Sequence, residues 1–374
     1  MSATNSKKTR IALLFGGRSP EHSVSCVTAA GILRVLDPEK YEVVPIGITR
    51  QGQWTIEEAD PESWSLSSGV APEIKPSGES LQFSHTNEAT ELIGHSESGA
   101  MRSLGGVDVV FPVLHGSFGE DGTVQGLLEM ADVSYVGSGV AASAIGMDKH
   151  FAKLVFEAAG LEVGPYEVIT DKEWLRDRQV CLGRLSGLEY PLFVKPARAG
   201  SSVGVSRVSD EAGLVHAIDA AREHDPKVII EQGIAGREIE CGVLEGRGSD
   251  APRTSLPGEI EVTAGADTFY DFNAKYVDGG AAELTCPAAL PEDQISIIRE
   301  QASIAFDAIG GEGLARVDFF YTDDGRWIIN EINTMPGFTP VSMYPRIWGE
   351  TGIGYAELVD ELIWLAVNRK TGLR

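Results

Sequence analysis

The run from Leu314 to Asn333, LARVDFFYTDDGRWIINEIN, holds four polar residues that could act together. Two apolar stretches flank Asp324-Gly325, and an Asp-Gly pair is the sequence signal for a two-residue hairpin turn. With that turn Asp323 opposes Arg326, Asp318 opposes Glu331 and Arg316 opposes Asn333. The two-residue period of a strand then puts Arg316, Asp318, Glu331 and Asn333 on one face. Two carboxylates facing each other across strands destabilise a hairpin. A divalent cation removes that cost. Two carboxylates with an amide oxygen are hard ligands of the kind Mg²⁺ takes beside phosphate oxygens. Arg316 next to them suits a transferring phosphoryl group. The same residues also fit a plain hairpin with a solvated polar face.

A second set of residues suits phosphate. Phe193–Val205, FVKPARAGSSVGV, reads as a lysine-bearing strand, a loop with Gly and two Ser, and a departing strand. Gly200 and Gly204 allow close backbone approach, and successive loop N–H groups can cradle an anion. The loop lacks the GxxxxGK[ST] pattern and lies between strands, so it is not a P-loop. By itself it fits a hairpin turn equally well. Lys149, in Met147-Asp148-Lys149, is a further lysine. Ile229–Glu238 ends one strand and begins another; its backbone and carboxylates could hold adenine and ribose, or simply connect the strands. Thr268–Gly280 mixes aromatic and polar residues ahead of a Gly-rich stretch. That composition suits a loop that closes over a site and excludes water, and equally an edge strand with a surface turn. Glu21 and His22 stand where a helix follows a strand. A carboxylate there could grip a substrate ammonium, and it is also a routine acid for a helix start.

These residues need elements to position them. Arg10–Phe15 is an apolar run ending in Gly16-Gly17. A helix is predicted from about Glu21 to Leu36, stopped by Asp37-Pro38, with a second strand at Tyr41–Ile48. This β-α-β opening puts its loop at the carboxyl end of the first strand, where open α/β sheets bind ligands. Val107–Leu114 is another strand and ends in the polar loop His115–Gly122. Residues 57–106, rich in Ser, Glu and Gly, predict exposed hairpins or a mobile insertion. From Gly122 to Gly160 the pattern is helical with a break at Ser134–Gly139. Further strands are predicted at Leu192–Lys195, Val203–Val208, Val228–Glu231, Glu238–Leu244, Gly258–Val262, Leu314–Tyr321 and Trp327–Ile332. In a helix from about Glu292 to Ala308, Ile295, Ile298, Ala302, Ala305 and, just beyond it, Ile309 recur at helical spacing.

The 374 residues suffice for two or three domains. A formal net charge of −24 repels nucleic acid and anionic membrane, so neither is an expected partner. Any nucleotide site must supply its own lysine, arginine, backbone N–H and metal. Cys26, Cys181, Cys241 and Cys286 form no CxxC pair and read as buried thiols of a reducing compartment. The start, MSATNSKKTR, lacks the apolar core of a signal peptide. No apolar stretch is long enough to span a bilayer. The cytoplasm is the expected location.

Taken in order, these segments resemble the D-alanine–D-alanine ligases of bacterial cell-wall synthesis, a branch of the ATP-grasp fold. The matching runs are Phe15-Gly16-Gly17 with Glu21-His22-Ser23-Val24-Ser25, Leu114-His115-Gly116 with Gly119-Glu120-Asp121-Gly122, and Gly137-Ser138-Gly139 with Met147-Asp148-Lys149. They continue with the Lys195–Gly204 loop, Phe269-Tyr270-Asp271 with Lys275-Tyr276, Gly313–Asp318, and Glu331–Thr339. Seven runs in the family's order span nearly the whole chain.

The resemblance implies an α/β, three-domain ATP-grasp enzyme acting as a homodimer. Residues 1–147 would be a Rossmann-like open sheet, with α+β domains at 148–244 and 245–374 clamping ATP. Lys149 and Lys195 would meet the phosphates, and Lys275 would also bind ATP. Glu231, Glu238 and the backbone near Ile234 would hold adenosine. Asp318, Glu331 and Asn333 would ligate two Mg²⁺ ions, for which Mn²⁺ could substitute. A first D-alanine would be phosphorylated to D-alanyl phosphate, then attacked by the amine of a second. Glu21 would grip the first ammonium, with His115 also at the substrate. Arg316 and the backbone of Gly337 would stabilise the oxyanion. Ser342 would bind the second carboxylate. Ser201 and Tyr276 would form a hydrogen-bonded chain with Glu21 that ties the flap to the site. Gln232 and Gly233 depart from the family at adenine, where Lys and a bulky residue are common, and Pro340 and Val341 depart before Ser342. Rival readings are a D-alanine–D-lactate ligase, which Tyr276 argues against, and another ATP-grasp carboxylate–amine ligase, which the Glu21-His22 motif and the flap argue against. A non-catalytic nucleotide sensor would have no need for the whole set of site residues.

Overall fold

The computed structural model describes residues 7–65, 71–85, 90–262 and 282–372. Lys275, Tyr276 and the rest of the expected flap lie outside them. The chain divides into two compact units. Met1–Val140, Arg247–Ser249 and Met335–Arg374 make the first, and Ala141–Gly246 with Asp250–Thr334 the second.

The first unit is built on a four-stranded sheet ordered Trp54–Ile56, Tyr41–Ile48, Thr9–Gly16, Val109–Pro112. The last three are parallel and Trp54–Ile56 is an antiparallel edge. The central strand is a continuous apolar run because both its faces are covered, as parallel sheets require. It ends in Gly16 and Gly17, at φ +88° and +93°. These left-handed conformations turn the chain into the helix His22–Val35. Of the two readings of residues 57–106, the described residues bear out hairpins, although part of them is buried and not exposed. Glu79–His85, Thr90–Ser96 and Met101–Gly106 form an antiparallel meander. Its Leu81 and Leu92 are buried with Leu14, Ile46 and Val110 in one core. The C-terminal helix Tyr355–Asn368 packs on the first helix and on strand Val109–Pro112.

The second unit holds two antiparallel sheets. The smaller is ordered Ser206–Val208, Leu192–Pro196, Lys227–Gln232, Tyr166–Thr170. Val194, Val228 and Ile230 turn inward on Trp174, Leu214 and Ile218, so alternation sends Lys195 and Glu231 to the other face. The strand expected from Val203 begins only at Ser206. Positive φ at Ser201, Ser202 and Gly204 turns the chain first. The larger sheet runs Ala282–Thr285, Gly258–Val262, Arg237–Leu244, Leu314–Tyr321, Trp327–Asn333, with Arg253–Thr254 also paired to Arg237–Leu244. The helix Glu292–Ala308 covers its apolar face through Ile298, Ala302 and Ala305.

The hairpin of this sheet differs from expectation in two places that compensate. Tyr321 pairs with Trp327, and Thr322 N donates to Arg326 O at 3.0 Å. The turn therefore has three residues, Asp323-Asp324-Gly325, with Gly325 at φ +82° as such turns favour. That shifts the pairing by one. A β-bulge between Asp318 and Phe319, with Asn330 as the additional residue, shifts it back, so Asp318 faces Glu331 and Arg316 faces Asn333. The bulge also keeps Ile332 in the core beside Ile329, three positions apart instead of two.

Candidate active site

Seven of the expected residues gather in the second unit. Lys149 opens the helix Lys149–Ala158, which Asp148 caps by accepting from Phe151 N. Lys149 donates to Ala199 O at 3.1 Å and pairs with Glu331 at 3.2 Å. Lys195 pairs with Glu231, its diagonal neighbour across the ladder that joins Lys195 to Ile229. Lys153, one helical turn after Lys149, meets Glu231 Oε1 at 2.8 Å. Burial alone would raise the Glu231 pKa, but Lys153 and Lys195 overcome it and hold this carboxyl well below the usual carboxylate range.

On the larger sheet, Arg316 Nε and Nη2 donate to Asp318 Oδ1 and Oδ2, each at 2.7 Å. This is a bidentate pair. Arg316 Nε also lies 3.1 Å from Glu240 Oε2. Burial opposes the guanidinium charge, yet Asp318 and Glu240 lift its pKa well above the ordinary value. Asn333 Nδ2 donates to Asp318 Oδ2 at 3.0 Å. Lys149 chiefly, against burial and with help from Lys195 and Arg316, holds Glu331 down to about 2. The repulsion expected between the facing carboxylates is thus relieved inside the chain: Asp318 has Arg316, and Glu331 has Lys149.

Among the described residues, no three His, Cys, Asp or Glu side chains form a metal cluster by themselves. The hairpin offers two carboxylates and an amide. That oxygen set fits a hard divalent cation which completes its shell with phosphate or water. Ligation requires Asn333 to present its oxygen where it now donates from Nδ2, and Asp318 to share oxygens that Arg316 now holds.

Ile234 lines a cavity of about 310 Å³ with Gln232, Gly233, Ala235, Thr322 and Ile328. Glu238 is exposed, two positions from Glu240 on the same face of its strand. Ser201 sits in the turn after Lys195 at φ +47°.

The first unit holds four other expected residues. Glu21 precedes the helix His22–Val35. Its Oε2 lies so near Gly116 that an added Cβ there would be 2.5 Å from it. His115 is buried, with Nδ1 3.0 Å from Met335 O and Nε2 3.2 Å from Thr28 Oγ1. A carbonyl only accepts, so Nδ1 carries the proton and Nε2 accepts from Thr28. Burial lowers the His115 pKa, against the opposing pull of Glu21 and Met335 O. Glu120 accepts from Gly116 N at 2.7 Å and from Met335 N at 3.0 Å. His115 and Glu120 thereby grip Met335 from both sides, two residues before Gly337. Ser342 begins the helix Met343–Thr351 and shares a 2.7 Å hydrogen bond with Thr339 Oγ1.

The family model of the D-ala D-ala ligase N-terminus matches residues 10–138, and that of the D-ala D-ala ligase C-terminus matches residues 155–364. The chain belongs to the D-alanine–D-alanine ligase family. A D-alanine–D-alanine ligase of Arthrobacter sp. (strain FB24) is 61% identical over 373 residues, covering 100% of this chain and 98% of that protein. One from Streptomyces griseus is 49% identical over 376 residues, covering 98% and 95%. The D-Ala:D-Ser ligase VanG from Enterococcus faecalis superposes with a TM-score of 0.81 at 34% identity, covering 96% of this chain and 100% of that one. The D-alanine–D-alanine ligase from Coxiella burnetii gives 0.78 at 34% identity, covering 97% and 95%. The fold is the multi-domain α/β, ATP-grasp architecture of this ligase family.

Sequence reasoning passed over three residues of this family member's site. Lys153 was signalled by its i,i+4 spacing from Lys149. Glu240 was signalled by its i+2 spacing from Glu238 on a strand that is apolar from Cys241 to Leu244. Glu120 lies inside the Gly119–Gly122 run but has no periodicity that marks it.

Proposed function

We propose that this ligase joins two D-alanines, cleaving ATP to ADP and phosphate, and so supplies D-alanyl-D-alanine for bacterial peptidoglycan precursors. The observation that supports this reading best is the convergence of Lys149, Lys195 and Arg316 on Asp318, Glu331 and Glu231, within a chain of this family. Three cationic groups resting on carboxylates are ready to exchange those partners for phosphate oxygens.

A carboxylate is a poor electrophile. Transfer of the γ-phosphoryl group to an oxygen of the first D-alanine gives it a phosphate leaving group. The amine of the second D-alanine attacks the carbonyl carbon. The C–N bond forms, the C–O bond to phosphate breaks, and the amine gives up a proton. Lys149 and Lys195 hold phosphates. Glu231, Glu238 and Ile234 hold adenosine, and Lys275 adds a further ATP contact. Glu21 grips the first ammonium and His115 braces the substrate loop. Arg316 and the N–H of Gly337 stabilise the oxyanion. Ser342 takes the second carboxylate. Ser201 and Tyr276 complete a chain from the flap to Glu21. Asp318, Glu331 and Asn333 would hold two Mg²⁺ ions, or Mn²⁺ in their place, which neutralise phosphate charge when bound. The three domains are 1–147, 148–244 and 245–374, and the enzyme works as a cytoplasmic homodimer. Among the described residues no helix is long and apolar enough to cross a membrane.

The test is phosphate release from ATP across D- and L-amino acids and D-lactate, with products identified. D-Alanine should support turnover, with ADP and D-alanyl-D-alanine formed. Equal turnover with L-alanine, or cleavage of ATP to AMP, would overturn the reading.

A further inference from the structure

Glu240 is a buried carboxylate, 5% exposed, to which the reaction above gives no part. It lies directly across the ladder from Asp318, while Gly242, on the same strand, lies across from Arg316. Two like charges directly opposed on adjacent strands are unfavourable unless a cation lies between them. Arg316 is that cation. Its Nε is 2.7 Å from Asp318 Oδ1 and 3.1 Å from Glu240 Oε2. Gly242 places no side chain opposite Arg316 to obstruct this arrangement.

Asp318 has two competing partners. Its oxygens hold the fork of Arg316, and the same oxygens belong to the set suited to a divalent cation. An oxygen that turns to a cation weakens its bond to the guanidinium. Glu240 is outside that set: the strand of Asp318 lies between it and Glu331, with Asp318 paired to Glu240 on one side and to Glu331 on the other. It is therefore free of the competition. We propose that Glu240 is a positioning residue: it holds Arg316 by Nε while Asp318 turns to a divalent cation, and so keeps the guanidinium aimed at the reacting group. This rests on the ligase reading given above. A displacement on the order of 1 Å of a group that stabilises charge costs about a hundredfold in rate.

The experiment uses the full chain labelled with ¹⁵N-arginine, the Arg316 Nε–H resonance being assigned with Arg316→Ala. In the unsubstituted chain the resonance should persist when Mg²⁺ and ADP are added. In Glu240→Gln it should be present without metal, where Asp318 still holds the fork, and be lost to exchange with Mg²⁺ and ADP. The substitution should lower kcat by about tenfold to a hundredfold while KM for ATP changes little. In an Arg316→Ala background the same change should alter residual kcat by less than about twofold, since the two residues act as a unit. Loss of the resonance from the unsubstituted chain on adding Mg²⁺ and ADP overturns the proposal, and that arm needs neither a folded variant nor turnover. So does a Glu240→Gln protein that keeps both the resonance and kcat, or an effect that multiplies unchanged onto Arg316→Ala. Failure of the ligase reading would show separately, as an unsubstituted chain inert toward D-alanine and ATP.

Discussion

Glu331→Gln removes one charge and keeps the side-chain shape, and two effects oppose each other in its outcome. Facing Asp318 across the hairpin, a neutral residue relieves repulsion, a gain of about 0.2–1 kcal/mol. Lys149, 3.2 Å away, acts the other way. With help from Lys195 and Arg316, and against burial, it carries the Glu331 pKa from 4.5 down to about 2, a drop that corresponds to about 3 kcal/mol in favour of the ionised form. The Glu331 side chain is 27% exposed, and solvent screening reduces the figure to about 1–2 kcal/mol. The loss still exceeds the gain, so the variant should be less stable than the parent. Because the folded value is the depressed one, this stabilisation is complete above pH 4.5 and disappears as pH falls toward about 2. Urea denaturation with a chelator present reads it directly. Glu331→Gln should lose about 1–2 kcal/mol near neutral pH, and the difference should shrink at about pH 3.5. A variant more stable than the parent near neutral pH would refute the reasoning and make like-charge repulsion the governing term. Its kcat should also fall at least about a hundredfold.

Lys153→Ala leaves Glu231 buried with one partner fewer and should cost about 3–5 kcal/mol in urea denaturation, with a higher KM for ATP; a near-neutral change would mean that Lys195 alone satisfies Glu231. Gly16→Ala should cost more than the about 1–2 kcal/mol of its left-handed backbone, because the new Cβ would lie 2.4 Å from Ile48 O; a melting temperature unchanged from the parent would show that the turn can move. His115 should stay neutral, with its proton on Nδ1, to lower pH than an exposed histidine, since burial disfavours its charge; long-range ¹H–¹⁵N spectra in which it titrates at or above the ordinary histidine value would overturn the assignment.

Local patterns carried much of the fold. The opening β-α-β unit and the helix Glu292–Ala308 were legible because their hydrogen bonds close within a few residues and their apolar spacing repeats. The pairs Asp318–Glu331 and Arg316–Asn333 came out as read because the third turn residue and the bulge, neither of them foreseen, cancel. Lys153 and Glu240 obey the same periodicities, yet nothing in one sequence says that Glu231 needs a second lysine or Arg316 a second carboxylate. That need arises only when the sheets of the second unit are assembled. The course of residues 335–374 was hidden for another reason. Arg369 reaches back to Gly137 O and Tyr135 O, and Tyr355 to Phe338 O. The partners of Arg369 lie more than two hundred residues away and leave no local trace, and the Tyr355 bond spans 17 residues with no periodicity to announce it. Val203-Gly204-Val205 misled because its β-branched residues favour extension, while the preceding serines adopt a left-handed backbone.

The facing of a residue on a strand is a matter of parity. In the hairpin ending at Asn333, the three-residue turn changes odd for even once, and Asn330 changes it back. Either alteration alone would send Glu331 and Asn333 into the apolar layer and bring Ile332 out beside Arg316. Single insertions and deletions in this hairpin are therefore severe, whereas paired ones are silent at the site. A chain with a two-residue turn and no bulge would present the same four side chains. The length of the turn is free to drift in descent, provided that a second change between it and Glu331 restores the count.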